Sequence, residues 1–189
     1  MKIILASQSP RRRELLGLLR IPFTVRVADI DETMDPGRDP AEEVARVSRR
    51  KALAIGADAG DVVIAADTIV VCGGEILGKP KSEEQARQML RMLSGRAHQV
   101  MTGVTVLRDQ AAETVTEITD IWFRELSEEE IDAYVATGEP MDKAGAYGIQ
   151  GGAAVFATRL EGDYYNVMGL PVCALTQCLR QLGVTILGA

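Results

Sequence analysis

The segment that most constrains this chain is Ile3–Leu19, where a short apolar run passes directly into a helix. Ile3-Ile4-Leu5-Ala6 reads as a buried strand, and Leu15, Leu16, Leu18 and Leu19 recur at helical spacing. Ser7–Arg13 is then a strand-to-helix turn. Ser9 suits the N-cap, and Pro10 suits the first helical position, where its missing N–H costs nothing. Arg11, Arg12 and Arg13 crowd the first turn, although a helix N-terminus already carries partial positive charge. Amide donors, the hydroxyls of Ser7 and Ser9, and guanidinium groups converging there suit an anion such as phosphate. Arg11 and Arg12 each lie four residues before an inward leucine, which predicts that they emerge at the edge of the core. The alternative is a solvated basic turn whose arginines pair with nearby acids such as Glu14.

Charge limits the partners. The 189 residues carry a net charge of −6, which argues against a nucleic-acid polymer as ligand but not against a small anion in a locally basic cleft. No apolar run is long enough to span a membrane, and Met1-Lys2-Ile3 leads into a strand without a signal-peptide pattern. Cys72, Cys173 and Cys178 form an odd, widely spaced set without C-x-x-C, read as small core residues of a reducing compartment. The single histidine, His98, sits at a predicted strand start and reads as structural; His-rich metal sites and Ser-His-Asp catalysis are disfavoured.

Phe23–Val27 alternates as a strand and runs into the carboxylate cluster Asp29–Thr33, which is either a solvated loop or a set of hard oxygen ligands for magnesium or manganese. Asp39-Pro40-Ala41-Glu42 starts a helix that should reach about Gly56 and carry Lys51 near its end, where a cation is favourable. Val62–Val71 is a central-strand run, apolar on both sides of Asp67. A buried carboxylate is costly unless paired. Asp67 is thus either a cap at a strand end or bulge, or an acid held at the lip of a sheet beside a cation or as a base.

Cys72–Glu75 reads as a hairpin turn. Gly73 to Lys79 has the spacing of a Walker A loop, but Pro80 stands where the serine or threonine belongs, and the context is hairpin rather than strand-to-helix. Lys79 can still serve as a point charge for phosphate. Ser82-Glu83-Glu84-Gln85 is a helix start of capping-box type, Ser127–Glu130 caps a further helix, and Ser94-Gly95 and Thr137-Gly138 are stops. Long strands are expected at His98–Leu107 and Thr114–Phe123, with a polar turn between them. Glu139–Gly152 is rich in small residues that let the backbone lie close to something flat or crowded, and it offers Asp142, Lys143, Tyr147 and Gln150. Val155–Leu160 reads as a strand, Asp163–Asn166 as a polar loop, and Gly169-Leu170-Pro171 as the opening of a last helix that stops at Gly183.

Taken together, these pieces resemble the Maf (septum-formation-inhibitor-like) nucleoside triphosphate pyrophosphatases. The matching residues are Ser7–Leu16, Asp31–Thr33, Lys51-Ala52, Ala66–Thr68, Gly78–Pro80, Leu93–Gly95, Asp142–Gly151 and Asn166–Pro171, in order and over nearly the whole chain. The resemblance implies a single bilobal α/β domain over residues 1–189: two lobes around a long, mixed, twisted sheet flanked by helices, with the site in the cleft between them. It implies hydrolysis of a nucleoside triphosphate between the α and β phosphates, a divalent metal (Mg2+ or Mn2+), a cytoplasmic location and a homodimer. Asp67 matches the family's proposed proton acceptor. Arg11, Thr68 and Gln150 match positions linked to base selection in the branch acting on dTTP and UTP, as distinct from the branch acting on 7-methyl-GTP. Chemically, Ser7, Ser9, Arg12, Lys51, Lys79 and Lys143 can serve the phosphates, Glu32 and Asp67 a metal, and Gln150 the O4 and N3–H edge of uracil or thymine. The rival reading is a nucleotide-binding regulator of cell division with little catalysis.

Overall fold

In the computed structural model, which describes residues 1–186, the chain forms two compact units. The first comprises Met1–Asp67, Thr102–Glu117 and the residues from Gly169 on; the second comprises Thr68–Met101 and Ile118–Met168. One seven-stranded mixed sheet runs in the order β2-β1-β3-β5-β6-β7, with β4 beside β3. Its strands are β1 (Ile3–Leu5), β2 (Thr24–Val25), β3 (Val62–Cys72), β4 (Glu75–Leu77), β5 (Ala97–Arg108), β6 (Ala111–Phe123) and β7 (Ala157–Glu161). The helices are α1 (Pro10–Gly17), α2 (Pro40–Leu53), α3 (Glu83–Leu93), α4 (Glu128–Ala136), α5 (Tyr164–Met168) and α6 (Val172–Gln181).

In the first unit, β1 pairs in parallel with β2 and with β3, setting Ile3 opposite Val62 and Leu5 opposite Ile64. Helix α2 comes close to β5. A Cβ on Gly103 would lie 2.6 Å from the Val44 carbonyl oxygen, so only glycine lets the strand pass there. Beside it, Ser48 Oγ, Thr105 Oγ1 and Thr114 Oγ1 form a chain of hydrogen bonds of 2.8 and 3.0 Å. Ile4, Ala6, Ala52, Ile55, Val63 and Ala65 pack into one buried cluster, which holds the C-terminal end of α2 through Ala52.

In the second unit, β3 and β4 form the expected hairpin, Val70 opposite Leu77 and Cys72 opposite Glu75. This is an antiparallel turn and not a phosphate loop. Strands β6 and β7 are antiparallel, with a bulge between Trp122 and Phe123. Met89, Leu90 and Leu93 of α3, Ile131 and Tyr134 of α4, and Ile121 and Phe123 of β6 share one core.

The caps behave as the sequence asks, with one exception. Ser9 accepts the Arg12 amide, Asp39 accepts those of Ala41 and Glu42, and Ser127 forms a full capping box with Glu130. At α3, Ser82 accepts the Gln85 amide, but Gln85 Oε1 takes the Lys81 N–H at 2.7 Å, one residue earlier than a reciprocal box requires. Three expectations are corrected. The strand expected over Phe23–Val27 is ordered as strand only at Thr24–Val25, which are exposed on both faces and gain little by pairing further. The polar loop at Asp163–Asn166 is the start of helix α5: Asp163 Oδ1 accepts the Tyr165 amide, and buried Asn166 donates to Val100 O and Thr119 Oγ1 at 3.0 and 2.9 Å. Cys173 is exposed on α6, whereas Cys72 and Cys178 are buried; all three are free thiols.

Candidate functional site

The candidate residues of the first unit lie around Asp67. It is the sixth residue of the eleven-residue strand β3, so it does not cap a strand end. Its side chain is only 13% exposed, and its charge is met by Lys51, whose Nζ lies 2.7 Å from Asp67 Oδ1. The same ammonium lies 2.9 Å from Glu32 Oε2. Lys51 thus bridges the two carboxylates that the sequence marks as metal ligands.

The arginine-rich turn faces this bridge. Ser7 is buried at the end of β1, and its Oγ accepts the Ser9 amide at 3.2 Å and Arg12 Nη1 at 3.3 Å. Arg12 Nε donates to the Gly169 carbonyl at 2.8 Å, across 157 residues of chain. Burial lowers the Arg12 pKa; Asp67 opposes that shift, Arg11 adds to it, and Glu32 opposes it in turn. These influences put Arg11, Arg12, Glu32 and Asp67 within electrostatic reach of one another. Arg11 and Arg12 are half-buried, whereas Arg13 is exposed. Ser7 and Ser9 spend their oxygens on holding the turn and Arg12.

Glu32 projects from a segment with no regular structure, and helix α2 holds that segment. Glu43 is buried with a side chain 1% exposed. It accepts Arg46 Nε and Nη2 at 2.9 and 2.7 Å, and the Asp35 amide at 2.8 Å. Arg46 Nη2 also donates to Thr33 O at 2.8 Å. The bonds from Arg46 and from the Asp35 amide hold the Glu43 carboxyl down at about 2. Sequence reading missed this pair. Its i, i+3 spacing on a helix was the available signal, and burial, which gives the pair its weight, was not legible.

Two carboxylates converging on one cation are a donor set that fits a hard divalent ion. Among the described residues, no group of three or more His, Cys, Asp or Glu side chains gathers, so such an ion would complete its shell with substrate oxygens and water.

In the second unit the candidates sit on the glycine-rich stretch. Lys143 Nζ donates to the Glu139 carbonyl and to Asp142 Oδ1, each at 2.7 Å, leaving the side chain 14% exposed. Gln150 is exposed at the tip of a turn closed by Gly151 N–H on Gly148 O at 3.0 Å. The crowding that the glycines imply is real. A Cβ on Gly145 would lie 2.8 Å from Val70 Cγ2, and one on Gly148 would lie 2.6 Å from Lys143 Cε. Tyr147 anchors the stretch by a 2.8 Å bond between its hydroxyl and His98 Nε2; His98, buried against Phe123 as well, is structural. Lys79 is exposed after β4, and Thr68 follows Asp67 on β3.

The family model described as Maf-like protein matches residues 2–182. A dTTP/UTP pyrophosphatase of Bacillus cereus (strain B4264) is 46% identical over 186 residues, covering 98% of this chain and 97% of that protein. A dTTP/UTP pyrophosphatase of Bacillus thuringiensis subsp. konkukian (strain 97-27) is also 46% identical, with the same coverage. Among solved structures, a HAM1 protein from Coxiella burnetii matches with a TM-score of 0.53 at 17% identity, covering 96% of this chain and 99% of that one; this is a likeness of fold.

Proposed function

The chain belongs to the Maf-like protein family, and from that premise we propose that it is a nucleoside triphosphate pyrophosphatase acting on dTTP and UTP, with Asp67 as its general base. The observation that carries this reading is the mid-strand carboxylate of Asp67, held by Lys51 at 2.7 Å within the electrostatic reach of Arg12.

Hydrolysis of a phosphoanhydride asks mainly for positioning and charge neutralisation. Arg11, Arg12 and Lys51 supply positive charge in the first unit, and Lys79 and Lys143 supply it in the second. Lys51 orients the Asp67 carboxylate by a charge-assisted bond. Asp67 then takes a proton from water as the water oxygen bonds to the α phosphorus. The bond from that phosphorus to the bridging oxygen breaks, and its electron pair leaves with pyrophosphate. Glu32 and Asp67 would hold a magnesium or manganese ion, which when bound neutralises phosphate charge and lowers the pKa of a coordinated water. The Gln150 carboxamide offers a donor and an acceptor for the uracil or thymine edge, beside Arg11 and Thr68 in setting base choice.

The test is a product assay over a nucleotide panel with magnesium, manganese or neither. The expected result is pyrophosphate and the monophosphate from dTTP and UTP, with a metal requirement. Tight nucleotide binding without pyrophosphate would indicate a regulator, and orthophosphate would indicate attack at the γ position.

A further inference from the structure

We infer that Glu139 is a positioning residue for base selection, fixing the turn that presents Gln150. The inference rests on the reading of Gln150 given above. Gln150 occupies the turn Gly148–Gly151, and each end of that turn is tied back to one carboxylate. At the near end, the Gly148 N–H donates to Tyr134 Oη at 3.1 Å, and the Tyr134 O–H donates to Glu139 Oε1 at 2.9 Å. At the far end, the Gly152 N–H donates to Glu139 Oε2 at 2.9 Å. Both carboxylate oxygens are thus committed, one to each side of Gln150.

Steric fit points the same way. A Cβ on Gly151 would run into the Glu139 carboxylate, and one on Gly152 would lie 3.2 Å from the Tyr134 ring. The glycines flanking Gln150 are small because the backbone lies against this acid and this phenol. The Tyr134 ring is fixed in turn by an edge contact with Phe156, centroids 5.2 Å apart. Gln150 itself is exposed, so its carboxamide has only the rigidity its backbone gives it. Lys143 bonds to the main-chain carbonyl of Glu139, which truncation of the side chain leaves in place. Loss of the carboxylate therefore acts on the base side and spares the phosphate-side lysine.

The test measures kcat/KM for dTTP and dCTP, each with its own kcat and KM, in Glu139→Ala, Glu139→Gln, Tyr134→Phe and Gln150→Ala. Circular dichroism and a thermal melt check each fold. Glu139→Ala should lower the dTTP to dCTP ratio about tenfold, because a small misplacement of a contact group is costly. Glu139→Gln, which keeps one acceptor oxygen, should recover part of the ratio. Tyr134→Phe should shift it in the same direction by less, and it carries the test if Glu139→Ala does not fold. If Gln150→Ala changes the ratio and neither folded Glu139→Ala nor Tyr134→Phe does, the positioning role is overturned and the base reading stands. If Gln150→Ala leaves the ratio unchanged, the base reading falls and takes the positioning role with it.

Discussion

Two irregular segments carry candidate residues, and they are held by different chemistry. The segment around Glu32 is held by formal charge: Glu43 and Arg46 grip Thr33 and Asp35, and Lys51 grips Glu32 itself. The segment around Gln150 is held by one carboxylate, two phenols, a neutral histidine and glycines pressed against side chains. The first arrangement concentrates ion pairs where a triphosphate and a cation would compete for them. Its geometry can be redrawn by an incoming charge at the Lys51 bridge, because Lys51, Glu32 and Asp67 are the groups proposed above to meet phosphate and metal. The second is fixed by directional hydrogen bonds, to one carboxylate and between uncharged groups, and by close packing, and this suits a group that must discriminate shape.

The sharpest way to break this contrast is Asp67→Asn. It keeps the size and removes the base, so kcat on every nucleotide should fall by about 10²–10⁴-fold, with the dTTP to dCTP ratio little changed. Gln150→Ala should do the reverse. A large change of ratio in Asp67→Asn would show that the two tasks are not divided in this way.

Acid titration should separate the two regions next. Burial lowers the His98 pKa from 6.5 to about 4. The unfolded chain therefore binds a proton that the native His98 refuses. Stability from this site is complete above pH 6.5 and is lost as pH falls towards 4, about 3 kcal/mol in all. Glu43 behaves oppositely in cause and later in pH. Its folded value of about 2 lies below the ordinary 4.5, so its contribution holds above 4.5 and is lost only between 4.5 and 2. Thermal melts from pH 7.5 to 3 should show the gap between wild type and His98→Gln closing by pH 4, and the gap to Glu43→Gln persisting to about pH 4.5. Parallel curves would remove the distinction.

Gly103→Ala probes the support of α2. The added methyl meets backbone atoms of Val44 and Ala45 at 2.6–2.8 Å, which cannot rotate away. Overpacking of this kind costs about 1–3 kcal/mol. The expected result is a lower melting temperature and a raised KM for all triphosphates, since α2 carries Lys51, Glu43 and Arg46.

Much of this was legible in the chain because it is local. Caps at Ser9, Asp39, Ser82 and Ser127, the hairpin at Cys72–Glu75 and the stop at Gly183 each depend on a few consecutive residues. Asp67 stood out for a physical reason, a single acid inside an apolar strand. The partners were not legible, because they come from folding: the Gly169 carbonyl that holds Arg12, the ammonium between Glu32 and Asp67, and the acid under Gly151. Gly103 and Glu43 were passed over for the same reason. A glycine in a strand and a glutamate on a helix are ordinary until their neighbours in space are known.

Tyr147→Phe tests whether the anchor that His98 gives the second segment is neutral. The Tyr147 hydroxyl meets His98 Nε2 at 2.8 Å, and His98 Nδ1 is already buried without a hydrogen-bond partner. The variant keeps the ring, and so the edge contacts to Phe123 and His98, and removes only the hydroxyl. Both His98 nitrogens are then left without a bond, at a cost of about 1–3 kcal/mol. No charge is gained or lost, so the loss at neutral pH should be the same at high and low salt. The Glu43–Arg46 pair should weaken with salt only where it is exposed, on the Arg46 side. A loss in Tyr147→Phe that changes with ionic strength would mean that this anchor, too, is held by charge.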